Sequence, residues 1–185
     1  MSKVLISILG QDQPGIIANV AGLIFSRKGN IENVSQTLLQ SMFGALLIVS
    51  VPDNETPQAL QEALQVTCAA LNLFVHVEPY IAPAPNIKPD VQPYIVTAIG
   101  PDQPGLVWEI ATQLARHDVN ITNMQAIFKG TTKPLDNLMI FEVDVPRHTV
   151  MNDLRASLRE ISERLALDIK VQHRKIFESV SRIQN

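Results

Sequence analysis

Residues 9–16 read LGQDQPGI and residues 99–106 read IGPDQPGL, an offset of 90 residues (99 − 9 = 90). At the same offset, GNIEN at 29–33 matches VNITN at 119–123. Apolar positions farther along also recur, although their offset is 94 (154 − 60 = 94 for one shared leucine). A period of this length exceeds that of a solenoid repeat and corresponds to a whole small domain. The chain is therefore predicted to contain two copies of one fold.

The spacing of apolar residues changes between strand and helix periods in the same order in both halves. In the first half it predicts strands at 4–9, 31–40, 44–51 and 73–77 and helices at 16–24 and 56–70. In the second half it predicts strands at 94–99, 120–129, 138–145 and 168–176 and helices at 105–117 and 149–166. This βαββαβ order is typical of the α+β ferredoxin-like fold, with two helices on one face of a four-stranded antiparallel sheet. Pairing the two copies side by side would cover strand edges that are otherwise open to aggregation.

A proline-rich segment separates the two copies. Five prolines occur within residues 79–93. Proline fixes φ and lacks the amide donor that a helix interior or a central strand needs, so this segment is expected to be an extended connector. The predicted organisation is a first domain at 1–80, a linker at 81–92, a second domain at 93–177 and a C-terminal tail at 178–185.

Composition argues against several classes of protein. The net charge is −3, so the chain lacks the basic surplus with which proteins bind nucleic acids. No stretch approaches the about 18 consecutive apolar residues of a membrane span, and no secretory leader is recognisable. The single cysteine, Cys68, lies in an apolar segment, where a buried and inert thiol is expected. These features favour a cytoplasmic protein without membrane contact.

The repeated Asp-Gln-Pro-Gly segment lies between the first strand and the first helix of each copy. Gly15 and Gly105 allow a tight turn and the close approach of another group. The free amides at a helix start attract an anion such as a carboxylate, and Asp12 and Asp102 can accept hydrogen bonds from an ammonium group. An α-amino acid carries both groups on one carbon. The motif therefore favours an amino-acid site in each copy.

Other interpretations of the same residues stay open at the level of sequence. An aspartate before Pro-Gly is also a common helix cap, and an asparagine before a strand is a common turn residue. If Asn30 and Asn120 do bind a ligand, their amides can both donate and accept hydrogen bonds. The helix exits that carry them are then expected to lie opposite the Asp-Gln-Pro-Gly turns.

These motifs resemble the ACT domain family over both copies, nearly the whole chain. The resemblance implies domains that pair side by side and bind amino acids at the interface between them. The positions that match the family's ligand loop and the positions facing it are Asp12, Gln13, Gly15, Ile16, Asn30 and Ile31, with Asp102, Gln103, Gly105, Leu106, Asn120 and Ile121 in the second copy. A longer turn at 130–137 distinguishes the second copy, so the two sites need not be equivalent.

The tandem arrangement and the connector are similar to the glycine cleavage system transcriptional repressor group. That resemblance implies an amino-acid-responsive regulator, with glycine as one candidate ligand. It also implies action on a protein partner such as a transcription factor, without direct contact with nucleic acid, and a homodimer is compatible with it. The alternative is a stand-alone regulatory subunit of an enzyme of amino-acid or folate metabolism, because formyltetrahydrofolate deformylases begin with a similar domain. No nucleophile, acid–base pair, phosphate-binding loop or metal-ligand spacing is recognisable, so we expect no catalysis, cofactor or metal.

Overall fold

The computed structural model describes residues 1–82, 90–128 and 137–175. They form two compact units, one on each side of residues 83–89. Most of the linker predicted at 81–92 lies outside the described residues, and so does the whole tail predicted at 178–185.

The first unit contains six elements in the predicted order: β1 Ser2–Gln11, α1 Ile16–Ser26, β2 Asn30–Leu39, β3 Met42–Val51, α2 Pro57–Ala69 and β4 Leu73–Pro79. Its strands form one antiparallel sheet in the order β2-β3-β1-β4. Alternate residues of the strands and one stripe of each helix share a single buried core, which includes Val4, Ile6, Val20, Leu60 and Leu64. Both helices therefore cover the same face of the sheet, as their single apolar stripes predict.

Helix α2 begins where its sequence predicts. The Thr56 hydroxyl oxygen accepts a hydrogen bond of 3.1 Å from the amide of Ala59, and Pro57 occupies the first helical position. Such a cap satisfies one of the amides that the first turn leaves unpaired and contributes about 1 kcal/mol.

The second unit repeats this architecture with β5 Val91–Gly100, α3 Leu106–Arg116, β6 Asn120–Phe128, β7 Asn137–Pro146, α4 Met151–Leu165 and β8 Asp168–His173. The sheet is antiparallel in the order β6-β7-β5-β8, and its core combines the same positions of strands and helices. The fold class and the tandem arrangement are thus confirmed.

Most boundaries lie within two residues of those predicted, and the two largest differences, of three residues each, are at the start of β5 and the end of β8. Strand β5 begins at Val91 and passes through Pro93, which had been assigned to the end of the proline-rich segment. Proline is tolerated there because β8 pairs with β5 only from Tyr94 onward, so the missing amide of Pro93 breaks no ladder on that side. Strand β8 ends at His173, short of residue 176.

Candidate functional site

The loop between the first strand and the first helix has the same backbone geometry in both units. Gly15 stands at the N-cap of α1 with φ +95°, and Gly105 stands at the N-cap of α3 with φ +94°. This left-handed conformation costs a residue with a side chain about 1–2 kcal/mol, so glycine is what lets the chain enter the helix at this angle. The tight turn predicted from the motif is present in both copies.

Neither of these helices has a side-chain cap. No side chain accepts a hydrogen bond from the first-turn amides of α1 or α3. Asp12 and Asp102 are exposed, and the backbone amide of Asp12 instead donates to the carbonyl oxygen of Ser41 over 2.8 Å. The helix-cap interpretation of the two aspartates is therefore wrong. What remains is a helix start whose free amides and positive dipole favour an anion, with a carboxylate in the same short loop.

The glutamines of the motif have a positioning role. Gln13 Nε2 donates to the carbonyl oxygen of Leu71 over 2.6 Å, and Gln103 Nε2 donates to that of Leu165 over 2.9 Å. These bonds tie each loop to the chain at or just beyond the end of the second helix of its own unit. Leu165 is the last residue of α4, so the bond from Gln103 also satisfies a terminal carbonyl that the helix leaves without a partner, whereas Leu71 lies two residues beyond the end of α2. Each side-chain amide nitrogen thus has one N–H engaged within the protein, and its second N–H and the amide oxygen remain for other contacts.

The hydrophobic residues assigned to the ligand loop and strand are parts of the two cores. Ile16 and Leu106 are each 2% exposed, and Ile31 and Ile121 are half-buried against the cores of their units. At Ile16 and Leu106, only the backbone amide can reach a ligand in front of the helix.

Asn30 and Asn120 lie at the far end of each unit from the loop. In the first unit Asn30 pairs with Ser50, which pairs with Lys3 of β1, nine residues before Asp12 (12 − 3 = 9). At about 3.3 Å per strand residue, the separation is roughly 30 Å. In the second unit Asn120 shares a row with Pro93, again nine residues before its aspartate (102 − 93 = 9).

The expectation that each helix exit lies opposite its own turn is therefore not met within a unit. The reason is the topology. Strands β1 and β2 are parallel, because each pairs antiparallel with β3, so the connection through α1 returns the chain to the end of the sheet at which β1 begins.

The space around the two loops differs. Beside the first loop lies a cavity of about 160 Å³ lined by Gln11, Asp12, Gln13, Leu71 and Asn72. In front of the second loop lies a wider depression of about 670 Å³ lined by Asp102, Gln103, Gly105, Leu106, Val107, Trp108 and Ala111. The Trp108 side chain is 67% exposed here, where the first unit has Ala18. An exposed indole beside free amides offers an apolar surface to a bound side chain.

A buried amide next to the second loop was missed at the level of sequence. Asn137 is 1% exposed and pairs in the sheet with Gly100, at the entrance to the loop. Among the residues that the structure describes, neither polar atom of its side chain has a hydrogen-bond partner. The first unit has the apolar Phe43 at the matching position (137 − 43 = 94). The offset of 94 residues, applied to every position, would have revealed this exchange of a phenyl ring for an amide.

One ion pair near the second loop has no counterpart in the first. Arg164 donates two hydrogen bonds, of 2.9 and 2.8 Å, to the carboxylate of Glu109 in the first turn of α3. The hydrogen bonds and charge of Arg164 hold the pKa of Glu109 below its ordinary value. The matching positions in the first unit are Asn19 and Ala70.

The outer face of the first sheet, opposite the helices, has an apolar surface. Leu9, Leu46 and Phe74 are all more than half exposed there, around a depression of about 390 Å³ above Gly44. Exposed apolar patches of this kind mark sites of protein interaction.

Within 1–82, 90–128 and 137–175, no three His, Cys, Asp or Glu side chains are close enough to hold a metal ion. Of the helices in those same ranges, none has the length and apolar character needed to cross a bilayer.

Fold and loops together define a tandem of ferredoxin-like domains, each with an anion-attracting helix start beside a carboxylate. The ACT domain pattern matches residues 2–78 and 92–172, and the chain therefore belongs to the ACT domain family.

Sequence relatives match one domain length of this chain. A UPF0237 protein of Methanocaldococcus jannaschii is 33% identical over 79 residues, which is 42% of this chain and 88% of that protein. A UPF0237 protein of Methanopyrus kandleri is 29% identical over 79 residues, again 42% and 88%.

Two solved structures share the fold over nearly the whole chain. An unknown protein from Galdieria sulphuraria superposes with a TM-score of 0.74 at 19% identity, covering 93% of this chain and 98% of the other. A candidate glycine cleavage system transcriptional repressor superposes with a TM-score of 0.67 at 14% identity, covering 92% and 96%. At these identities the likeness shows the tandem fold alone.

Proposed function

We propose that this protein is a cytoplasmic, amino-acid-binding regulator that acts through a protein partner, in the manner of a glycine cleavage system transcriptional repressor. One observation carries the proposal. In both units a left-handed glycine starts a helix that no side chain caps, beside an aspartate. The free amides suit a carboxylate and the aspartate suits an ammonium group, which together match the backbone of an amino acid.

In this proposal a neighbouring ACT domain completes each site. Asn30 and Asn120 are too far from the loop of their own unit to touch the same small ligand. They reach a ligand only if the domains lie side by side and antiparallel, so that the helix exit of one faces the loop of the other. The edge strand β2 supports this pairing, because nine of its ten residues are exposed. A homodimer provides the same arrangement.

Support for a protein partner comes from the surface of the chain. Its net charge is −3, which disfavours direct contact with nucleic acid. The exposed apolar residues Leu9, Leu46 and Phe74 offer a surface for another protein. The candidate repressor with the same tandem fold is the reason for naming a transcription factor as the partner.

Thermal unfolding with each of the twenty amino acids, glycine first, tests ligand binding. A ligand at one hundred times its dissociation constant stabilises the native state by about 2.7 kcal/mol, which raises the melting temperature measurably. We expect Asp102→Ala or Asp12→Ala to abolish the shift, and Glu62→Ala, which removes an exposed carboxylate from the middle of α2, to leave it unchanged. If no amino acid shifts the transition, or if both loop variants keep the full shift, the proposal is wrong.

A capture experiment tests the partner. The full chain serves as bait, with Phe74→Ser as a variant of the apolar surface and Val66→Ser, another exposed apolar residue, as its control. Recovery of a transcription factor by the wild type and the control, and its loss with Phe74→Ser, supports the proposal. Recovery of an enzyme of amino-acid or folate metabolism would instead support the regulatory-subunit alternative.

A further inference from the structure

A groove between α4 and β8 of the second unit has no assigned role. Its volume is about 280 Å³, and its lining residues are Arg155, Leu158, Arg159, Ser162, Ile169 and Val171. It lies on the second helix and last strand of the unit and shares no lining residue with the depression in front of the second loop.

In the first unit, the side chain of Gln61 occupies the matching position. There Gln61 Oε1 accepts a hydrogen bond of 2.9 Å from the backbone amide of Val77, on the open edge of β4. In the second unit Arg155 replaces Gln61 (155 − 61 = 94) and Val171 replaces Val77 (171 − 77 = 94). A guanidinium has no acceptor atom, so Arg155 cannot bond the Val171 amide. Helix α4 also packs less closely against β8 than α2 packs against β4, which leaves the groove open.

Within the described part of the chain, the basic residues around the groove form ion pairs with acidic side chains, whereas the two arginines that line the groove do not. Arg164 pairs with Glu109, Lys170 with Asp168, and Arg174 with Glu142. Among the residues that the structure describes, Arg155 and Arg159 have no such acidic partner, and they stand one helical turn apart. Like charges at this spacing repel each other and destabilise a helix. The first unit has Gln61 and Gln65 at these two positions and avoids the repulsion.

We propose that this groove binds a small organic anion through a phosphate or carboxylate head. The forked guanidinium groups of Arg155 and Arg159 hold the oxygens, and the Val171 amide donates a further hydrogen bond. Leu158 and Ile169 provide an apolar surface for the remainder of the ligand. The two guanidinium groups and the Val171 amide offer only donors, which favours an anion over an amino acid with its ammonium group. The site is independent of the proposed amino-acid site.

Amide chemical shifts of the full chain, at constant ionic strength, test the proposal. Inorganic phosphate and succinate are titrated separately, so that phosphate and carboxylate heads are distinguished. We expect at least one of them to move the Val171 amide signal along a saturable curve while the Val77 amide, bonded to Gln61, stays in place. The Gly105 amide reports the amino-acid loop and is expected not to respond.

Variants with the residues of the first unit provide the matched comparison. We expect Arg155→Gln with Arg159→Gln to weaken anion binding about tenfold or more, because charged hydrogen bonds are lost. Arg116→Gln with Arg147→Gln removes the same charge elsewhere in the unit and should leave binding within about twofold. If the Val171 signal does not saturate, or if both double variants bind equally, the groove attracts anions only by net charge and the proposal is overturned.

Discussion

The two Asp-Gln-Pro-Gly loops have one backbone geometry and different surroundings. Gly15 and Gly105 differ in φ by only 1° (95 − 94 = 1), and the Gln tether to the second helix is present in both. Around that shared frame, however, Phe43 of the first unit is replaced by the buried amide of Asn137. The loop geometry depends on one glycine and one hydrogen bond, so the neighbouring side chains were free to diverge. The wider depression in front of its loop makes the second unit our candidate for the ligand-binding copy.

The largest effect is expected from making the second unit resemble the first at Asn137. Burying an amide without hydrogen-bond partners costs about 1–3 kcal/mol, so Asn137→Leu should raise the free energy of unfolding of the second unit by that amount. Trp108, the only tryptophan of the chain, reports this transition by fluorescence in a urea titration.

The control at the matching position is Phe43→Leu, which we expect to destabilise the first unit because it opens space in a packed core. A lower stability of Asn137→Leu would mean that the amide does have partners in solution.

The two glycines should respond alike if the loops share one frame. We expect Gly15→Ala and Gly105→Ala each to lower the free energy of unfolding by about 1–2 kcal/mol, because a side chain is strained at a φ near +95°. The effect at Gly15 should be slightly larger, since its added Cβ would approach Asn19 Nδ2 to 3.3 Å.

Gly22 is the control, because it lies inside α1 with open space around its added Cβ. Gly22→Ala should stabilise the first unit by about 1 kcal/mol through helix propensity. Urea titrations of the three variants measure these changes. A loss of stability in Gly22→Ala would contradict the conclusion that the two loops share one backbone geometry. An unchanged stability in Gly15→Ala and Gly105→Ala would contradict it as well.

A smaller difference should appear at acidic pH, because only the second unit has the Glu109–Arg164 pair. The folded-state pKa of Glu109 lies below the ordinary value of 4.5, so the pair stabilises the native state above that value. The stabilisation is lost as pH falls from 4.5 through the lower folded-state pKa. We expect Arg164→Gln to flatten the loss of stability between pH 6 and pH 3, as measured by Trp108 fluorescence. An identical pH dependence of wild type and variant would show that the exposed pair contributes nothing.

The smallest effect concerns Cys68. Its thiol is a probe for the opening of the first unit, just as Trp108 fluorescence is a probe for the unfolding of the second. The thiol is fully buried, and burial raises its pKa, so little thiolate is available in the native state. We expect a thiol reagent to label Cys68 only as fast as the first unit opens. Gly15→Ala should therefore accelerate labelling, whereas Gly105→Ala should not. Rapid labelling of the wild type would place the thiol at the surface.

Sequence patterns predicted the parts of this protein that depend on residues close together in the chain. The order of the elements follows from apolar spacing, the start of α2 from Thr56 and Pro57, and the tight turns from Gly15 and Gly105. Each of these signals acts within one helical turn or one strand. Because the second half repeats these sequence patterns, the same elements could be predicted there.

Long-range contacts decided the site. The Gln13 side chain has its partner at Leu71, 58 residues away, and Asn30 lies at the far end of the sheet because β1 and β2 run parallel on either side of β3. Burial of Asn137 and the open edge at Val171 likewise depend on which side chain packs opposite. The sequence alone determined two ACT domains with turns suited to an amino acid. Only the tertiary structure decided which polar groups are free, since a hydrogen-bonding partner is set by neighbours in space.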